Sequence, residues 1–233
     1  MSERISVVHI DRLDLSFAPK PWEFADRRRA EIDAHFAGLQ RVRPALWNGR
    51  VLLTYEHALD GGVFRGAYLE TDYASFLAWR DWGYPDTGMT DCFGAAAVLT
   101  SDGAFLLGIM GAHTANAGRI YFPCGTPDPR DIVDGRVDLD ASVRRELIEE
   151  TGLDIGEFES EGGWTAVLAM PFIMQVKLLR SRQDAASLRR WIIQNLAGDK
   201  QPEFADIRIV RSLADLDPAM PDFIQAYLRD IWK

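Results

Sequence analysis

Residues 139–152, LDASVRRELIEETG, read as one helix with two opposed demands, and that helix restricts what the rest of the chain can build. Leu139, Val143 and Leu147 recur every fourth position and form an apolar stripe that has to be buried. Glu149 and Glu150 follow Glu146 by three and four positions. At about 100° per residue the three carboxylates share one arc of roughly a third of the helix circumference. Gly152 ends the helix. Such a helix packs by its stripe onto a layer of other secondary structure and carries its acids at the rim of that layer.

The flanking sequence supplies the layer. Cys92 opens FGAAAVLT, a Ser101-Asp102-Gly103 turn follows, and AFLLGIM completes a hairpin of strands that read as buried. GRIYFP predicts a further strand, and the Pro-, Gly- and Asp-rich residues 123–138 predict a loop feeding the helix. WTAVLAM and FIMQVKLLRS predict strands around Pro171, DAASLRRWIIQNLA a helix, FADIRIVRS a strand, and PAMPDFIQAYLRDIWK a closing helix.

Upstream, the chain predicts two short strands (5–10 and 13–17), one helix after Pro21 that ends near Pro44, a hairpin about Asp60-Gly61-Gly62, and an aromatic helix stopped by Gly83. Strands and helices mix without strict βαβ alternation, which predicts an α+β layered fold. The loop GYPDTGMTD suggests an N-terminal α/β extension over residues 1–90 and a core over 91–233.

Of the 233 residues, 47% are hydrophobic and 26% charged, a mixture that excludes a disordered or collagen-like chain. The formal net charge of −9 argues against nonspecific binding to nucleic acid, which needs a basic surface. No apolar run approaches the roughly 18 residues of a membrane span, so a soluble cytoplasmic protein without membrane contact is expected. Cys92 and Cys124 are too few for a disulfide framework and are expected as reduced thiols. His9, His35 and His57 show no zinc-site spacing.

Three crowded glutamates repel one another, and Arg145, four residues before Glu149, offsets only part of that. A solvated acidic face paired with Arg144 and Arg145 accounts for three glutamates alone. The full string Arg145-Glu146-Leu147-Ile148-Glu149-Glu150-Thr151-Gly152-Leu153 is more specific, and it resembles the second half of the Nudix box. Tyr121-Phe122-Pro123-Cys124-Gly125-Thr126 resembles the strand entering that box, with Cys124 replacing a glycine. The segment from Gly125 to Arg145 is longer than the family spacing, and Val137 stands where the family carries a further glutamate. That leaves Arg145 needing another partner, for which Asp138 and Asp134 are candidates, unless Asp138 is simply the helix N-cap. Thr126-Pro127-Asp128-Pro129 faintly resembles the loop of the UDP-glucose pyrophosphatase-like branch of the superfamily.

The resemblance implies a Nudix-type α/β/α sandwich with a mixed sheet. It also implies a pyrophosphohydrolase that cleaves the diphosphate linkage of a nucleoside diphosphate joined to a sugar, ribose or coenzyme moiety. Glu146, Glu149 and Glu150 would bind Mg²⁺ or Mn²⁺, Gly125 would belong to the box loop, and Arg145 would tie loop to helix. Glu149 is the box residue whose exchange for Gln should abolish turnover, and Glu203, before the late strand, is a candidate general base. Arg119, His113 and Asn116 lie in a loop suited to a nucleotide-type small-molecule substrate. Trp79-Arg80-Asp81-Trp82 offers aromatics that either stack on a base or pack a helix onto the core, the latter being favoured. Many relatives are homodimers. A nucleoside triphosphate pyrophosphatase and a non-catalytic sensor on the same fold are the alternatives.

Overall fold

The computed structural model describes residues 5–233. The chain runs β1 (Ser6–Ile10), β2 (Arg12–Phe17), α1 (Glu23–Arg27), α2 (Arg29–Val42), β3 (Arg50–Asp60), β4 (Val63–Asp72) and α3 (Tyr73–Asp81). It continues β5 (Asp91–Leu99), β6 (Phe105–Met110), β7 (Ile120–Tyr121), β8 (Cys124–Gly125), β9 (Ile132–Val133), β10 (Arg136–Val137) and α4 (Leu139–Thr151). The last elements are β11 (Glu159–Ser160), β12 (Trp164–Ala169), β13 (Phe172–Arg180), α5 (Ala185–Leu196), β14 (Phe204–Val210) and α6 (Asp222–Ile231).

The larger sheet has the order β1-β12-β13-β5-β6-β14 and is mixed: β5 and β13 run parallel, and the other neighbours on this path are antiparallel. Alternation along β5 sends Cys92, Ala96 and Val98 to one face and Phe93, Ala95 and Ala97 to the other. Both faces are covered, which is why the strand reads as an unbroken apolar run rather than as alternation. Leu139, Val143 and Leu147 of α4 and Leu188 and Ile192 of α5 fill the first face, and Phe223, Ile224, Tyr227 and Leu228 of α6 fill the second. The core is therefore an α/β/α sandwich with a mixed sheet.

The second sheet, β3-β4-β2-β10-β9, is mixed as well. One of its faces carries Val51, Leu53 and Leu69 against the aromatic helices, with Trp22, Phe36, Phe76 and Trp79. Its other face carries Leu15, Leu52, Phe64 and Tyr68 into the same apolar cluster as α4. A line drawn at residue 90 cuts through both sheets: β1 pairs with β12 in the larger one, and β9 and β10 extend the smaller one through Arg136 opposite Ser16.

Two predicted elements differ. The single helix after Pro21 is two helices, because Arg28 leaves helical dihedrals (φ −112°, ψ 22°) and lays its guanidinium over the Trp82 ring at 4.1 Å. Residues 123–138 are not only loop. They hold β8, a 3₁₀ turn at Pro129–Asp131, and the β9–β10 pair, and the Leu52 N–H donates to Pro127 O at 2.7 Å. This segment is one of the ties between the two sheets, beside the Thr54–Thr90 bridge and the Tyr68 hydroxyl that donates to Cys92 O.

Candidate active site

The site begins with how closely α4 approaches the sheet. Gly94 of β5 faces Val143, and a Cβ there would come within 2.5 Å of Val143 Cγ2, so glycine sets the height of the helix over the strand. Asp138 caps the helix by accepting from Ala141 N–H at 3.0 Å, and Gly152 closes it with φ 77°. Asp138 is thus the N-cap and not the partner of Arg145.

This placement brings the glutamates against β8. Glu150 is buried, and its Oε2 accepts from Cys124 N–H at 2.9 Å. The Glu146 carboxylate fills the space that a side chain at Gly125 would need: a Cβ there would lie 2.5 Å from its carboxyl carbon. Glu149 is half exposed, 3.7 Å from Arg145 and 3.6 Å from Arg130. Burial pushes Glu146 up to about 7, Arg145 pulls it down, and Glu149 pushes it up again. Burial raises Glu150 well above the ordinary carboxylate range, with Glu203 and Glu146 adding repulsion. The same environment raises the Cys124 thiol, first through burial and then through Glu150, which removes it as a thiolate nucleophile.

Arg145 finds its partner inside the lengthened segment. Its Nη2 donates to Asp131 Oδ2 at 2.7 Å and lies 3.6 Å from Asp128, while Nη1 pairs with Glu146. Asp131 is buried at the end of the 3₁₀ turn, where it also accepts from Asp128 N–H at 2.9 Å in a reciprocal capping box. Asp134 sits apart at the β9–β10 turn with φ 49°, and Val137 is a core residue. The Asp-Pro-Arg-Asp string carried the signal, since an acid three residues after an Asp cap marks a closed turn that can present a carboxylate. Arg145 Nε is buried with no protein acceptor.

A cleft of about 1110 Å³ opens over these residues. Glu146, Glu149 and Glu150 line one wall, and Glu203, Arg119, Asn116 and Gly125 also face it. His113 does not line it; the ring packs at Gly111, beside the Glu203 backbone. The cleft walls raise Glu203, His113 draws it down, and Glu149 raises it, although its side chain opens to solvent. Trp79 is fully buried and donates through Nε1 to Asp86 O at 2.9 Å, so it packs the helix and presents no stacking face. Sequence reasoning missed the opposite wall: Tyr73, Phe76, Arg80 and Tyr84 from around α3, and Asp91 at the start of β5. Arg80 lies in a helix expected to pack onto the core, and Asp91 ends the segment GYPDTGMTD, which reads as a loop, whereas it is the first residue of β5.

Among the described residues no three His, Cys, Asp or Glu side chains converge on one point as a closed metal shell. The chemistry of the donors nonetheless fits a hard divalent cation. Glu146, Glu149 and Glu150 offer hard oxygen donors along one wall of the cleft, with the one arginine beside them already committed to Asp131.

No family model and no curated protein sequence matches the chain. Among solved structures it is similar to a Nudix hydrolase from M. smegmatis at 15% identity and TM-score 0.38, over 60% of this chain and 83% of that one. It is similar to the MutT protein of Methanosarcina mazei Go1 at 19% identity and TM-score 0.40, over 60% and 91%. It is also similar to a bifunctional NMN adenylyltransferase/ADP ribose pyrophosphatase from Francisella tularensis at 15% identity and TM-score 0.41, over 67% and 44%. Similarity at this level assigns no role to any residue of this chain. Among the described residues no helix is long and apolar enough to cross a membrane.

Proposed function

We propose that the chain is a Nudix-type pyrophosphohydrolase that uses Mg²⁺ to cleave the diphosphate linkage of a nucleoside diphosphate joined to a second moiety. The observation that carries this reading is the meeting, on one cleft, of Glu146, Glu149 and Glu150 from α4 with Glu203 from the approach to β14. Glu146, Glu149 and Glu150 would hold the cation, which when bound neutralises diphosphate oxygens and lowers the pKa of water. Arg145, fixed by Asp131, keeps the box loop on the helix. Arg119 supplies a further cation for phosphate. Glu203 takes the proton from the attacking water as its oxygen bonds to phosphorus and the P–O bond of the anhydride breaks. The products are a phosphate monoester and the phosphorylated remainder.

The test is release of phosphate monoester from nucleotide sugars, ADP-ribose, dinucleotides, coenzyme A and nucleoside triphosphates, with Mg²⁺ and with chelator. Chelator-sensitive turnover of a diphosphate-linked compound is expected. Metal-independent turnover, or none with any compound, contradicts the proposal.

A further inference from the structure

The wall opposite α4 contains a carboxylate that the hydrolytic step does not use. Asp91 is the first residue of β5, and its backbone N–H is spent on Pro171 O at 3.0 Å. The residue is 5% exposed, yet it lines the cleft. Its one side-chain partner among the described residues is the Thr126 hydroxyl, 3.2 Å from one oxygen and 3.4 Å from the other. A carboxylate offers about four acceptor positions, and a single hydroxyl leaves most of them empty. Burying such a group without full compensation is costly, so its position at a cleft surface calls for a ligand that donates to it.

Two neighbours support this. Arg80 of α3 lines the same wall. Its Nε donates to Asp81 at 3.0 Å, and its terminal nitrogens have no partner among the described residues. Tyr84 lies in the left-handed region at φ 59°, its ring edge-to-face with Phe172 and Trp79 at centroid separations of 5.6 Å and 4.9 Å. Backbone strain at a non-glycine residue concentrates at ligand sites, where surrounding packing holds it. Burial raises the Asp91 carboxyl to about 7, with Thr126 and then Arg80 drawing it down, so the group lacks the cationic contact that would hold it as a settled ion pair.

We propose that Asp91 and Arg80 form a specificity site for the moiety beyond the diphosphate, Asp91 accepting hydrogen bonds from the hydroxyls of a sugar ring and Arg80 donating to the phosphate oxygen attached to it. This rests on the pyrophosphohydrolase reading and narrows its substrates to nucleoside diphosphates whose second moiety is a sugar. The N-terminal elements then supply half of the site, because α3 delivers Arg80 and the Tyr84 turn closes the wall.

The experiment compares wild type, Asp91→Asn and Arg80→Gln on UDP-glucose, ADP-ribose and coenzyme A, whose distal moiety carries no sugar ring. Calorimetric titration of the two sugar compounds in chelator runs in parallel. Asp91→Asn keeps the size of the side chain, and Arg80→Gln tests the same site should Asp91→Asn fail to fold. Asp91→Asn is expected to raise KM for the sugar compounds at least about tenfold, with kcat within about threefold and coenzyme A unaffected, whereas Arg80→Gln, which removes a phosphate donor, is expected to raise KM for all three. Equal losses on all three compounds in Asp91→Asn would mean that the ribose and diphosphate they share are being read, and would overturn the inference, as would unchanged KM values in either variant. If wild type binds neither sugar compound, the inference also falls. Binding that Asp91→Asn weakens, without turnover by wild type, would uphold the inference and overturn the hydrolytic reading instead.

Discussion

At the scale of single residues, two contacts decide whether the carboxylates are held where chemistry needs them. Asp131 is 3% exposed at its side chain and holds Arg145 at 2.7 Å. Asp131→Ala leaves Arg145 with Glu146 and Asp128 but removes its shortest Asp contact and the acceptor of Asp128 N–H, so it is expected to cost roughly 1–3 kcal/mol of stability and to lower kcat, read by denaturant unfolding and initial rates. Gly125→Ala acts on the other contact. Its Cβ would occupy the place of the Glu146 carboxylate, 2.7 Å from each oxygen, so it should weaken metal-dependent turnover at least tenfold while leaving the thermal midpoint within a few degrees. The three helix glutamates could be read from spacing alone, because i, i+3 and i+4 positions share a face wherever the helix sits. The partner of Arg145 could not: the Asp128-to-Asp131 spacing marks a closed turn, but only the path of the chain past β3 places that turn, rather than Asp134 or Asp138, under the guanidinium.

Among the elements, α4 was readable to its ends, since Asp138 and Gly152 are a cap and a stop that act locally. Gly152 combines φ 77° with a Cβ position 2.2 Å from the Asn195 amide of α5. Gly152→Ala should therefore destabilise the protein by about 1–2 kcal/mol from backbone strain alone, and shortening Asn195 to Ala should recover only the steric part. Where an element's form depends on partners far away, sequence was a poor guide. Arg28 breaks the first helix and lies over Trp82, and the local β9–β10 pair joins the smaller sheet only through Arg136 opposite Ser16 of β2. Asp102 shows another such tie, accepting from Thr100, Arg211 and the Ala185 N–H, and so linking the β5–β6 turn to β14 and α5. The Thr100 hydroxyl first, then Arg211, hold its carboxyl well below the usual range. A depressed folded pKa stabilises above the unfolded value of about 3.9 and loses that contribution as pH falls toward the folded one. Asp102→Asn should lie below wild type in thermal midpoint at pH 7, with the gap narrowing below about pH 4; a gap that widens in acid would refute this.

For the whole molecule, the α+β layering followed from the order of strands and helices along the chain, whereas the relation of the two halves did not. β1 closes the larger sheet, β9 and β10 extend the smaller one, and a single apolar cluster runs from Tyr68 and Leu52 to Val143 and Leu147. Heat should accordingly unfold the chain in one cooperative transition. The cleft that the two halves enclose sets the Glu146, Glu149, Glu150 and Glu203 carboxylates facing Arg80 and Asp91. That the α4 carboxylates serve a divalent cation in hydrolysis is tested most directly by the Mg²⁺ dependence of phosphate monoester release in wild type and Glu149→Gln, measured side by side with the thermal midpoint of each. Saturable, chelator-reversible activation of the wild type is expected, with Glu149→Gln folded but slower by about 100-fold or more. A folded Glu149→Gln variant that turns over at the wild-type rate with the same Mg²⁺ dependence would contradict it.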